Sequence, residues 1–115
     1  MLFRSEESQA VPAYKQMVVD NGIEDLIVSD AITGTAASWL RPSLIACGLD
    51  PDRLEPRSGG RDYDSSSGGQ QRWKDMWAAG QGLGAVDRIE PVSGIVATLE
   101  AQYWAAVERF SDRAA

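Results

Sequence analysis

The residues of this chain whose types and spacing could do chemistry lie in one stretch, from Trp73 to Val86. Trp73 and Trp77 stand four apart, so on a helix they share a face, with Met76 and Gly80 beside them. Gly80, Gly82 and Gly84 then strip the backbone of side chains at every second position. A chain does this where it must turn with positive φ or let something large come close. Gln81 carries a lone amide out of that turn. Two indoles, a bare backbone and an amide make a wall for a flat aromatic ligand. The same residues also make a helix that buries its tryptophans and stops at a glycine, and aromatic stripes at helical spacing more often do that. Gly80-x-Gly82-x-Gly84 is not a dinucleotide fingerprint, because that motif follows a strand and opens a helix, whereas a helical pattern precedes this one.

Elsewhere the chemistry is thin. The 115 residues contain no histidine, which removes the commonest general base near neutral pH and the commonest nitrogen ligand. With Cys47 the only cysteine, a thiolate or imidazole metal site cannot be assembled, and Cys47 among apolar neighbours reads as a small hydrophobe rather than a nucleophile. Lys15 and Lys74 fall at helical positions with polar neighbours and read as solvated. Thr33-Gly34-Thr35 could offer hydroxyls and backbone N–H groups to an anion if a helix opened just after it, although Ser and Thr in that place usually serve as caps. Tyr63, between Asp62 and Asp64, is the one aromatic of a polar stretch whose carboxylates are spaced for solvation. No catalytic residue and no metal ligand emerges from the residues alone.

The elements that must position the central stretch follow from pattern. A chain of this length fits one small domain with a modest core. Its formal charge of −6 disfavours nucleic acid and anionic membranes as partners, and no apolar run approaches membrane-spanning length. A single cysteine and no export signal lead to the expectation of a soluble, cytoplasmic protein. Pro12 near a first turn, apolar Tyr14, Met17 and Val18, and Asn21-Gly22 as a stop predict a helix over residues 12–20. Residues 25–30 suit a short strand. A helix over 36–47 is expected, kinked at Arg41-Pro42 and ended by Gly48. Residues 50–71 form a polar loop longer than ordinary connections, and a Trp-bearing helix is expected over 70–79. The clearest helix covers 91–111, where Val92, Ile95, Val96, Leu99, Tyr103, Ala106, Val107 and Phe110 make an unbroken stripe. Trp104 falls outside that stripe and points to contact with another surface, so self-association through this helix is one expectation. The fold class that results is mainly α with one or two short strands.

Several phrases together resemble the C-terminal part of the flavin-dependent nitronate monooxygenases, also called 2-nitropropane dioxygenases. They are Glu6-Glu7-Ser8, Pro12-Ala13-Tyr14-Lys15-Gln16, Ser29-Asp30-Ala31-Ile32-Thr33-Gly34, Ala37-Ser38-Trp39-Leu40-Arg41-Pro42-Ser43 and the run from Trp73 to Gly84, in the family's order. The resemblance implies a C-terminal fragment of an α/β TIM barrel, since a barrel takes roughly 250 residues. It implies FMN as cofactor, an alkyl nitronate and oxygen as substrates, and Ala79, Gly80 and Gln81 as the residues nearest the flavin. Ala78 stands where many relatives have serine. The family's catalytic histidine has no counterpart here, so the isolated chain is expected to be inactive and to bind FMN weakly. Two alternatives remain: a fragment of a related flavin reductase of the enoyl-acyl-carrier-protein or quinone reductase type, and a non-catalytic helical interaction module.

Overall fold

The computed structural model describes residues 2–56, 59, 66–67 and 70–114. A 3₁₀ turn at Leu2–Arg4 leads into helix α1, Pro12–Asp20, which carries proline in its first turn. Asn21 ends α1 by donating its side-chain amide to the Met17 carbonyl at 2.8 Å, which satisfies one of the carbonyls a helix end leaves open. Val18 and Lys15 are the buried residues of this helix. Lys15 is therefore not the solvated lysine its neighbours predict. Its stem crosses the chain and its ammonium donates to the carbonyls of Ser5 at 2.6 Å and Glu6 at 3.1 Å, so the charge is hydrogen-bonded where it is desolvated.

Strand β1, Leu26–Ser29, pairs antiparallel with β2, Ala37–Leu40, in the register Leu26↔Leu40 to Ser29↔Ala37. The short strand near residue 25 thus has its partner within the chain, and that partner lies in the stretch expected to open a helix at residue 36. Helix α2 is only Arg41–Ala46, with Pro42 in its first turn, and Gly48 follows it at φ 78°. Pairing on both edges explains the difference. On its far side β2 meets residues 77–79: Leu40 N–H donates to the Trp77 carbonyl at 2.9 Å and Ala79 N–H to the Ser38 carbonyl at 3.2 Å, with an antiparallel bridge between Trp39 and Ala78. Backbone groups bonded in two directions outweigh the weak helical preference of four residues.

The same contacts cut short the helix expected over 70–79. A small antiparallel hairpin, β3 (Ser66–Ser67) and β4 (Gln70–Gln71), runs into helix α3, Arg72–Asp75. In a longer helix the Trp77 N–H would bond to the carbonyl four residues back. Instead it donates to Ser43 Oγ at 2.7 Å. The shared face of Trp73 and Trp77 is therefore not built by a continuous helix, and the Trp73 side chain lies outside the described part of the structure. So do Asp62, Tyr63 and Asp64 in the polar loop. The described parts of that loop hold a 3₁₀ turn at Pro51–Arg53, capped by the Asp50 carboxylate, together with the β3–β4 hairpin.

Successive residues of a strand point to opposite faces, and β2 uses this to serve two cores. Leu40 packs with Val18, Leu83 and Val86; Trp39 packs with Ile32, Leu44 and Met76. Leu40 and Leu44 are wholly buried, each contributing about 2 kcal/mol by apolar transfer. The Trp39 indole N–H donates across the hairpin to the Ser29 carbonyl at 3.2 Å, so the buried ring leaves no polar atom unpaired.

A 3₁₀ turn at Gln81–Ala85 precedes the long helix α4, Val92–Ala114. Its start is tied to the chain's beginning. Ser5 bridges to Glu90, Glu6 N–H donates to the Glu90 carbonyl, and the Glu7 carboxylate accepts from Val92 N–H at 3.0 and 3.1 Å. A carboxylate there satisfies an open N–H group and complements the positive end of the helix dipole. Arg4 is buried beside it, with Nη1 2.7 Å from Glu90 Oε1 and donating to the Arg88 carbonyl at 2.9 Å. Ile95 is the buried apolar residue of α4 among the described residues; most of the stripe beyond it is exposed. No helix among the described residues is long and apolar enough to cross a membrane.

Candidate functional site

The contacts that end α3 also shape a groove. Residues 77–79 run beside β2, and α1 and the Leu2–Arg4 turn add side chains to the groove beside them. The groove has a volume of about 350 Å³, with Phe3, Arg4, Tyr14, Ala79, Gly80 and Gly82 along it and Val18, Leu83 and Val86 at its base. The Tyr14 hydroxyl donates to the Ala78 carbonyl at 2.7 Å, pinning α1 to the glycine-bearing segment. The Tyr14 ring lies 6.1 Å from Phe3 and 5.5 Å from Trp77, tilted against both, within the range of favourable aromatic pairs. Burial pushes the Tyr14 phenol above its ordinary value, so at neutral pH it is a hydrogen-bond donor.

Gly80 and Gly82 are the informative residues. A glycine inside a fold is commonly explained by positive φ or by a neighbour too close for a Cβ. The positive-φ glycines among the described residues are Gly34 and Gly48. An added Cβ would meet Glu24 at Gly22, Ile23 at Gly84 and Glu90 at Gly94. At Gly80 and Gly82 a Cβ would meet nothing within 4 Å. Neither backbone strain nor internal crowding accounts for glycine at these two positions, and both open onto the groove. A bare backbone facing an open groove is what close approach of a broad, flat group requires.

Of the three residues nearest the flavin in the resemblance, Ala79 and Gly80 line the groove, while Gln81 is exposed and opens the 3₁₀ turn. Trp77 is not part of the lining. It packs partly buried against the Leu40 core, with its indole N–H donating to the Lys74 carbonyl at 2.9 Å. The packing reading of the tryptophan holds for this residue, and the glycines carry the opening. Phe3, Arg4 and Tyr14 are the lining residues that pattern reading missed. Tyr14 counted only as an apolar helix position, and the first residues read as a scrap with no element of their own.

The remaining candidates are absorbed by structure. Thr33-Gly34-Thr35 is the turn between β1 and β2, with Gly34 at φ 74° and the Thr33 hydroxyl donating to the Thr35 carbonyl. The helix that would have aimed N–H groups at an anion is strand β2, so the anion-binding reading loses its basis. Cys47 Sγ lies 3.4 Å from the Asp75 carbonyl, and burial together with the Asp75 charge pushes its thiol upward, away from thiolate chemistry. Lys74 is exposed. Among the described residues there is no group of three or more side chains that could hold a metal ion.

The fold, mainly helical with two short two-stranded sheets, is shared with part of a larger protein class of known structure. FabK from Thermotoga maritima is 23% identical, with a TM-score of 0.57 over 94% of this chain and 36% of FabK. A single-residue mutant of that FabK is 22% identical, with a TM-score of 0.59 over 94% of this chain and 33% of the other. The chain therefore spans about a third of the length of the structures it matches, and the likeness is one of fold. No protein-family model matches the sequence, and no curated protein matches it.

Proposed function

We propose that this chain is the C-terminal segment of an FMN-dependent barrel enzyme of the nitronate monooxygenase type, and that its groove is the part of the flavin site this segment supplies. The observation that carries the reading is the pair Gly80 and Gly82, bare without internal cause and open to a groove of about 350 Å³. The fold likeness to FabK supports a place within a larger protein. Ala79, Gly80 and Gln81 lie along one face of the cofactor in this reading, and Val18, Leu83 and Val86 keep water from it. Tyr14 holds the segment in place through Ala78. The cofactor, when bound, supplies electron transfer between an alkyl nitronate and oxygen, while the protein supplies orientation and exclusion of water. An alkyl nitronate arrives already deprotonated, so this reading asks no general base of these 115 residues, which hold no histidine. The FabK likeness also favours a second reading, the flavin reductase.

Amide NMR of the full chain titrated with FMN tests the proposal. Weak binding is expected, with shifts confined to Phe3, Tyr14 and residues 78–82. Gly80→Ala is expected to abolish those shifts while leaving the rest of the spectrum and the thermal midpoint in place, because its Cβ clashes with nothing in the chain. Absence of shifts at millimolar FMN, or shifts spread over other surfaces, would sink the reading. With FMN present, further shifts on adding an alkyl nitronate favour the monooxygenase, and shifts on adding an enoyl thioester favour the reductase.

A further inference from the structure

Along the stripe of helix α4, Val96, Leu99, Tyr103 and Phe110 are between 47% and 74% exposed. Ile95, at 1%, is held to the body of the chain; it lies four residues before Leu99 and so borders the stripe at its first turns. Beyond that contact the stripe stays open, with Tyr103 at 62% and Phe110 at 74%. Its spacing is symmetric. Leu99 lies four residues before Tyr103 and Val107 four after; Val96 lies seven before and Phe110 seven after.

We propose that this stripe pairs with the same stripe of a second copy, antiparallel, about a two-fold axis at Tyr103. In that arrangement Phe110 faces the partner's Val96 and Val107 faces the partner's Leu99, so large and small side chains alternate across the seam, as interdigitation requires. A two-fold interface uses one patch twice and needs it to be self-complementary, and a stripe that reads alike in both directions from Tyr103 meets that need. The area is sufficient. With each aromatic side chain carrying ~150–250 Å², the exposed stripe amounts to roughly 500 Å² per copy, and a pair buries about 1,000 Å², where specific interfaces begin. The inference stands apart from the flavin reading and involves no residue of the groove.

Sedimentation equilibrium of the full chain at ~100 μM, above the micromolar Kd of a small interface, is expected to give twice the 12.5 kDa chain mass. Tyr103→Glu is expected to halve that mass with an unchanged circular dichroism spectrum, because Tyr103 is exposed within a single chain. In a Cys47→Ser background, Tyr103→Cys is expected to give a covalent dimer under mild oxidation, whereas Ala101→Cys, on another side of α4, is not. A single-chain mass for the native protein overturns the proposal and leaves the stripe to a different polypeptide, such as the rest of a barrel. Persistence of the dimer in Tyr103→Glu, or equal cross-linking at Ala101→Cys, overturns it as well.

Discussion

Strand β2 and the outer half of α4 are opposite cases. β2 is four residues long, has no periodicity to mark it, and organises the molecule: each face feeds a core and each edge meets backbone, residues 77–79 on one side and β1 on the other. The outer half of α4 has the strongest pattern in the chain, yet Tyr103, Trp104 and Phe110 lie exposed. Amphipathic pattern reports that a face is built to be covered; it does not say by what. Burial within this chain follows from where the backbone finds hydrogen-bond partners.

That contrast yields its largest effect at Leu40. Leu40→Ala leaves a void between α1, the 3₁₀ turn after Gly80 and β2, and is expected to cost about 2–5 kcal/mol in denaturant unfolding; a cost under ~1 kcal/mol would show that β2 is not the centre of the fold. Next comes Ser43, whose hydroxyl accepts the Trp77 N–H. Ser43→Ala orphans a half-buried donor and should cost about 1–3 kcal/mol, with amide exchange rising first at residues 77–79.

The third test is alkaline. Burial raises the Tyr14 phenol, so its folded pKa lies above its unfolded one. The associated stability is fully present below pH ~10 and is lost as pH rises through the folded value. Absorbance of the ionised phenol should appear at higher pH in the folded chain than in the Tyr14 signal of the urea-unfolded chain, and groove resonances should broaden over the same range. The smallest effect belongs to the outer half of α4. Phe110→Ser, measured at a dilution where the chain is monomeric, should change unfolding by less than ~0.5 kcal/mol. A larger change would mean that α4 folds back on the body and would erase the difference between the two regions.

Part of the groove is legible in the sequence: two of its lining residues, Gly80 and Gly82, belong to the alternating glycines. Gly80, Gly82 and Gly84 stand out from their spacing, and the structure separates them: Ile23 crowds Gly84, whereas neither positive φ nor a close neighbour accounts for Gly80 and Gly82. The tryptophans drew attention to the same stretch, yet Trp77 belongs to a core. Phe3, Arg4 and Tyr14 were invisible as a group because 84 residues separate Arg4 from the Arg88 carbonyl it binds, and 64 separate Tyr14 from Ala78. No local pattern encodes such pairings.

What the amino-acid sequence determined by itself are the features that one segment settles alone: proline opening α1 and α2, glycine ending α2, and the apolar repeat of α4. These depend on φ restriction and side-chain period, which act over a few residues. What only the tertiary structure decided is that 37–40 is a strand, that 77–79 leaves its helix, and that Lys15 is buried. In each case distant hydrogen-bond partners outweighed local propensities worth only tenths of a kcal/mol per residue.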